Sequence, residues 1–243
     1  MSQPATAALA PLPFELVYSD GVPLESEWHT FELPLLRELI RQVLVERGRT
    51  DFYVGANLFV YYSVEQARAV AEEVRKGQPE RAFRGPDVFC VTSGVDPDRR
   101  RKSWIAWEEG GRLPDVIFEM LSPSTAKKDR TEKRDLYARV FRTPEYFLYE
   151  PETHKLEGLR LADRFYQPIQ PDENGRLWSE QLGALVGLWQ GPLPGTLEVD
   201  WVRLFHPDGS LVLTQAEAER QRADMAESEI ARLRALLEER GRG

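Results

Sequence analysis

One cysteine and three histidines in 243 residues exclude several common ways of building a functional site. Cys90 has no partner for an intrachain disulfide. Within VFCV it reads as a small core residue of a chain kept in a reducing compartment, so no disulfide and a cytoplasmic location are expected. His29, His154 and His206 are scattered and share no ligand spacing with one another or with Cys90, which argues against zinc. No apolar run approaches the ~20 residues that cross a bilayer, so no membrane partner is expected. MSQPATAALAPLPFELV lacks the basic start and long apolar stretch of a signal peptide, and residues 1–20 are read as a flexible leader.

Charge, by contrast, is plentiful and unevenly placed. The chain is acidic overall, at −8, yet residues 75–142 carry 16 Lys and Arg against 11 Asp and Glu, or +5, leaving −13 for the remainder. A basic field inside an acidic protein suits a phosphate-bearing partner such as DNA. The densest run is Arg99, Arg100, Arg101 and Lys102, followed by Trp104 and Trp107. Its alternative is a solvated loop, with at least one tryptophan in the core.

Two segments place acids on apolar runs: GPDVFCV around Asp87, and LPDVIFEML around Asp115 and Glu119. Their β-branched and aromatic content predicts buried strands, where an ionised carboxylate is costly unless a metal or cation meets it. Alternation puts Asp115, Ile117 and Glu119 on one strand face. Asp87, Glu119 and Asp115 converging from two strands would suit Mg2+ or Mn2+. Taken singly, Pro86–Asp87 and Pro114–Asp115 also fit ordinary strand starts.

Directly after the second strand, residues 122–125 form a stop-and-cap signal, and residues 126–141 read as a helix with Leu136, Tyr137 and Val140 at helical spacing. Asp129, Lys133 and Tyr137 are each four apart and make one stripe. The helix follows straight from the Glu119 strand, which brings its first turns to the strand's carboxyl end.

This combination resembles the Uma-two type of putative restriction endonuclease, in the PD-(D/E)xK nuclease superfamily. The residues that carry the likeness are Pro86–Asp87, an acidic strand running into ExLSPST, Asp129-x-x-x-Lys133 and EYFLYEP. It is strong over residues 51–151 and weak in the last third. The resemblance implies a restriction-endonuclease-like α/β (α+β) fold with a mixed central sheet flanked by helices. It also implies metal-dependent hydrolysis of DNA, with Asp87 and Glu119 on the metal and Asp115 as an outer ligand. Position 121, where the superfamily places its lysine, holds Leu121. The resemblance assigns that role to Lys133, with Lys127 and Lys128 in reserve or contacting nucleic acid.

The remaining segments order themselves around this core. Residues 32–47 read as an amphipathic helix and DFYVGANLFVYYS as strand broken near Gly55. A second helix is expected between Ser63 as N-cap and Gly77. WIAWEE and the Glu119 strand look like a hairpin, and turns are expected at Asn174–Gly175 and Asp208–Gly209. Thr214 and Glu217 form a capping box opening a helix with Ala216, Ala223, Ala226, Ile230, Leu233 and Leu237 at heptad spacing and Glu219 as the polar exception. Residues 21–212 are thus read as the nuclease-like domain and 213–243 as a coiled-coil helix forming a homodimer seam. Of the single residues, Asp96–Pro97–Asp98 resembles a paired-acid metal site but reads better as a turn, and His29 fits either a general base near the site or, as the simpler reading, a surface histidine before a helix. Glu46 is a possible upstream acid, and Asn57 is either a bulge or a site residue.

Three functions fit. They are a magnesium-dependent endonuclease, a catalytically silent nuclease-like module acting as a nucleic-acid or protein adaptor, and another two-carboxylate enzyme such as a glycosidase. Local positive charge and the lysine-bearing helix weigh against the last.

Overall fold

The structure is a computed structural model that describes residues 12–17, 27–76, 85–122, 126–192 and 198–241. The expected leader, the Gly77 helix stop and residues 123–125 of the cap signal fall outside or largely outside them. In chain order the elements begin with α1 (Glu27–Glu46), β1 (Tyr53–Ala56), β2 (Val60–Tyr61), α2 (Val64–Arg75), β3 (Val88–Val91), β4 (Trp104–Ile105) and β5 (Val116–Met120). A helical run over 126–141 leads to β6 (Glu145–Glu150), β7 (Lys155–Ala162) and β8 (Phe165–Pro168). β9 (Leu177–Ser179), β10 (Ala184–Pro192), β11 (Glu198–Phe205) and a tail helix (Gln215–Gly241) complete the order.

A six-stranded mixed sheet in the order β1-β3-β5-β6-β7-β8 is the frame. β5 and β6 run parallel, joined by the 126–141 helix, and the other neighbours are antiparallel. The α/β class is therefore as expected. Apolar side chains occupy both faces of β3, β5 and β6, which is why these strands read as unbroken hydrophobic runs. Val88, Cys90, Val116 and Phe118 join one core with α1 and the β9–β11 sheet; Phe89, Val91, Ile117 and Leu148 join another with Tyr137, Ala138 and Phe141 of the helix.

Local chemistry explains several element ends. The Ser63 side chain accepts from Gln66 N at 3.1 Å and caps α2. The segment DFYVGANLFVYYS forms two strands with the break close after Gly55, which itself lies inside β1. A Cβ there would come within 2.4 Å of the Phe89 ring, so glycine admits that ring, and the strand ends at Asn57 with φ 49°. The expected hairpin of WIAWEE with the Glu119 strand is corrected: β4 pairs in parallel with β2, and residues Ala106–Glu108 turn into a 3-10 helix. The glycines after it mark a turn but do not choose the strand's partner. The turns at Gly175 and Gly209 form as expected, closed by N–H bonds to Asp172 O and His206 O. Among the described residues no helix is long and apolar enough to cross a membrane.

The capping box forms as read: Thr214 N donates to Glu217 Oε2 at 2.8 Å and Glu217 N to Thr214 Oγ1 at 3.2 Å. Glu217 also receives both terminal nitrogens of Arg203, at 2.9 and 2.7 Å, from a guanidinium that is fully buried in β11. Arg203 in turn offsets part of the burial cost of Glu32, a buried α1 carboxylate pushed well above its usual pKa by desolvation. Removing Glu217 would leave that guanidinium buried with too few acceptors. Glu217→Ala is therefore expected to cost about 2 kcal/mol, or ~4–8 °C in melting temperature; an unchanged thermal melt by circular dichroism would show that the pair does not hold the tail's first turn.

Candidate active site

The site is built where two strand ends meet the helix. β3 and β5 are antiparallel with Val88 opposite Phe118, which sets Asp87, just before β3, opposite Glu119. Alternation turns both toward the face that carries Phe89 and Ile117, the face covered by the 126–141 helix. Asp87 is pinned on both sides: its Oδ2 accepts from Met120 N at 2.7 Å and its carbonyl from Asn57 N at 2.8 Å.

Glu119 is 1 % exposed in mid-sheet. Its Oε2 accepts from Lys133 Nζ at 2.9 Å and its Oε1 from the Tyr137 hydroxyl at 2.6 Å. Lys133 also lies 2.7 Å from Asp129 Oδ1, another buried acid. The stripe of residues four apart thus faces the sheet, and Phe141 extends it into the core. On an ordinary α-helix a four-residue step overshoots one turn by about 40°, so three steps would swing Phe141 far off the face. The helix corrects the drift by widening to π geometry at Asp129–Lys133 and again at Tyr137–Phe141. Val140, expected on the apolar side, is left exposed.

Three carboxylates therefore surround one ammonium. Burial is the largest effect on Glu119 and pushes it well above the usual carboxylate range; Lys133 opposes the shift, while Asp87 and Asp129 add to it. Asp87 is also raised, by burial first, with Lys133, the Met120 N–H and His29 pulling the other way. Burial alone would lower Lys133, but Glu119, Asp129 and Asp87 outweigh it, and the ammonium is held protonated far into the alkaline range. Tyr137 is pushed well above its usual value and stays a neutral donor.

Not every expected residue arrives here. Asp115 shares a strand face with Glu119 but sits at the far end, where its Oδ2 accepts from Thr92 N at 2.7 Å and Thr92 Oγ1 at 2.9 Å. The basic run lies toward that same end. Arg101 stacks 4.5 Å from the Tyr53 ring centre and pairs with Glu109, and Arg99 pairs with Glu108 and Glu109. Arg100 and Lys102 are exposed on the same loop. Lys127 is exposed at the head of the helix, and Lys128 lines a groove of ≈580 Å³ that reaches Lys133, with Tyr62, Gln66, Glu73 and Glu132 among its walls. Glu46 points away, at the exposed end of α1 near His206.

Two further residues border the cluster. The stripe carries no sign that Tyr137 would reach Glu119. Of the two readings of His29, the surface one is corrected: it is buried, with Nε2 3.4 Å from Met120 O. Its spacing with Leu33, Leu36 and Ile40 marks one buried stripe, a signal visible only if α1 begins at Glu27 rather than near Glu32.

Among the described residues no group of three or more His, Cys, Asp and Glu is arranged to hold a metal ion. The donor chemistry nevertheless suits a hard divalent cation: all-oxygen side chains, two of them raised by burial, and two negative charges in excess of Lys133 when all three acids are ionised.

The family model described as "Putative restriction endonuclease", Uma2, matches residues 34–199. The chain belongs to the Uma2 family. No curated protein matches it. Among solved structures, the crystal structure of "a putative nuclease belonging to DUF820" from Anabaena variabilis is 14% identical, with 66% of this chain and 76% of that one covered at a TM-score of 0.42. The Uma2 match spans Asp87, Glu119, Asp129, Lys133 and Tyr137, and Leu121 within it is buried in the core.

A raised carboxyl favours the fold below its unfolded pKa, and that advantage is lost as pH rises through the folded value. Asp87→Asn removes one such group while keeping an acceptor for Met120 N. The variant is expected to melt higher than the native protein by ~2–6 °C, for about 1–2 kcal/mol, with the gap widening from mildly acidic to neutral pH. A gap that closes as pH rises would contradict the raised pKa.

Proposed function

We propose that the protein is a Mg2+- or Mn2+-dependent endonuclease that hydrolyses phosphodiester bonds of DNA at Asp87, Glu119 and Lys133. The observation that carries this is the Lys133 ammonium 2.9 Å from Glu119 Oε2, reached from the helix where the superfamily position holds Leu121. Membership of a family described as restriction endonucleases supports the reaction class.

Asp87 and Glu119 would hold the cation, with Asp115 too far along β5 to share it. A bound divalent ion would lower the pKa of water and neutralise charge on the phosphate. The chain's own residues divide the remaining work. Lys133 stays protonated and so is not a base; it donates to the non-bridging oxygens as charge builds on phosphorus. Tyr137 fixes the rotamer of Glu119, and the Met120 and Asn57 amides fix Asp87. Water attacks phosphorus and stays there as the new phosphate oxygen, the bond to the leaving oxygen breaks, and the proton that water gives up to solvent is matched by one that solvent returns to the leaving oxygen. Lys127 and Lys128, at the head of the helix, would contact the phosphate backbone, while Arg100 and Lys102 lie at a more distant edge.

A second reading, a silent nuclease-like adaptor, is favoured by Arg99 and Arg101 being engaged in internal ion pairs and by the acids that share the groove with Lys128. Plasmid and single-stranded DNA incubated with Mg2+ or Mn2+ separates the two. The native protein is expected to cut. Asp87→Ala and Lys133→Ala should each lower the rate ~100-fold or more while leaving DNA binding in place. Equal cutting by Lys133→Ala would remove the lysine from the mechanism, and binding without cutting by the native protein would favour the adaptor.

A further inference from the structure

No residue of the tail helix takes part in the proposed chemistry, yet it is long and mostly unsupported. Its first turn is tied down by Arg203–Glu217 and by Gln215 N donating to Glu38 Oε1 at 2.7 Å. Ala216 and Glu219 border a shallow groove with Arg41 and Val45 of α1, which accounts for the one polar residue at an expected heptad core position. From Glu219 to Arg234 every side chain is exposed, and Ile230, Leu233 and Leu237 remain 49, 51 and 71 % exposed. Such an apolar stripe on a projecting helix is stable only when covered.

The flanking charges say what covers it. With Ala223, Ile230 and Leu237 at a and Ala226 and Leu233 at d, positions g are Arg222, Glu229 and the apolar Leu236, and positions e are Arg220, Glu227 and Arg234. In a parallel, in-register pair each g residue faces the e residue five positions on. Arg222 then meets the partner's Glu227 and Glu229 meets the partner's Arg234, opposite charges in both cases and doubled by symmetry. In the antiparallel alignment that keeps the whole seam, Arg220 meets the partner's Arg234, Glu227 meets the partner's Glu227 and Glu229 meets the partner's Glu229, all alike in sign. The exposed intrahelical contact of Glu229 with Arg232, at 3.4 Å, is too weak to hold Glu229 from a partner.

We propose that the tail helices of two copies of this chain pair as a parallel, in-register, two-stranded coiled coil over residues 223–237. This brings both globular parts, and both carboxylate clusters, to one end of the coil, and it holds whether or not those clusters cut DNA. A seam of two heptads gives a concentration-dependent dimer.

The test uses the full chain in light scattering and cysteine crosslinking. A dimer mass should appear between roughly 1 and 100 μM. Ala226→Cys, at d, should form an interchain disulfide with copper phenanthroline and air as oxidant, while Ser228→Cys, on the outer face, should not; Cys90 is buried and silent. Glu227→Arg should weaken the dimer at least tenfold, and Arg222→Glu combined with Glu227→Arg should restore it, a rescue that loss of folding could not give. A monomer at the top of that range, a trimer or tetramer, a dimer indifferent to Glu227→Arg, or a dimer that fails to crosslink through position 226 would each overturn the proposal.

Discussion

An ionised carboxylate taken out of water costs several kcal/mol unless a charge of opposite sign comes with it. β3 and β5 bring the buried Glu119 and the half-buried Asp87 to one spot in a sheet whose strands are apolar on both faces, and the helix adds another buried acid, Asp129. Lys133 is the cation that makes this arrangement tolerable. Its stem crosses from the helix to mid-sheet, its side chain is 16 % exposed, and its ammonium bridges Glu119 and Asp129. The helix register follows from that bridge, as does the π widening that keeps Lys133 and Tyr137 aimed at the sheet together.

The compensation is incomplete. Three acids against one ammonium leave Asp87 and Glu119 with raised pKa values, a strain kept by the surrounding packing. Other buried charges are met to different degrees. Glu145 accepts from Ser179, Glu180 N and Arg160, and the terminal nitrogens of Arg203 meet Glu217 and the Val212 carbonyl, whereas Glu32 is raised by desolvation that Arg203 only partly offsets. The carboxylate cluster opens by a groove to solvent through its lysine.

Much of this was legible in the chain. Apolar runs bearing acids located β3 and β5, and the four-residue spacing of Asp129, Lys133 and Tyr137 located the helix face. The π segments themselves were not legible, since three residues at i, i+4 and i+8 share a face of an ordinary α-helix as well. What alternation could not supply was position along the strand. Asp115 and Glu119 share a face but stand about 13 Å apart at ~3.3 Å per residue, so a shared face is a line and not a point. Counting charge located a basic stretch but could not see that Arg99 and Arg101 are answered by Glu108 and Glu109 a few residues later. The partner of β4 was likewise hidden, because a Gly-Gly turn announces a reversal without naming the strand that receives it. The burial of His29 was hidden by a helix start placed too late.

The central claim is that Lys133 and a divalent cation answer the same excess of negative charge. Titration calorimetry of Mn2+ into native protein and into Lys133→Met tests it directly. With the ammonium gone, three carboxylates face the metal unopposed, and Mn2+ binding should tighten by ~10-fold or more even as the protein loses its role for the lysine. Weaker Mn2+ binding by Lys133→Met, in a variant that remains folded, would contradict the account.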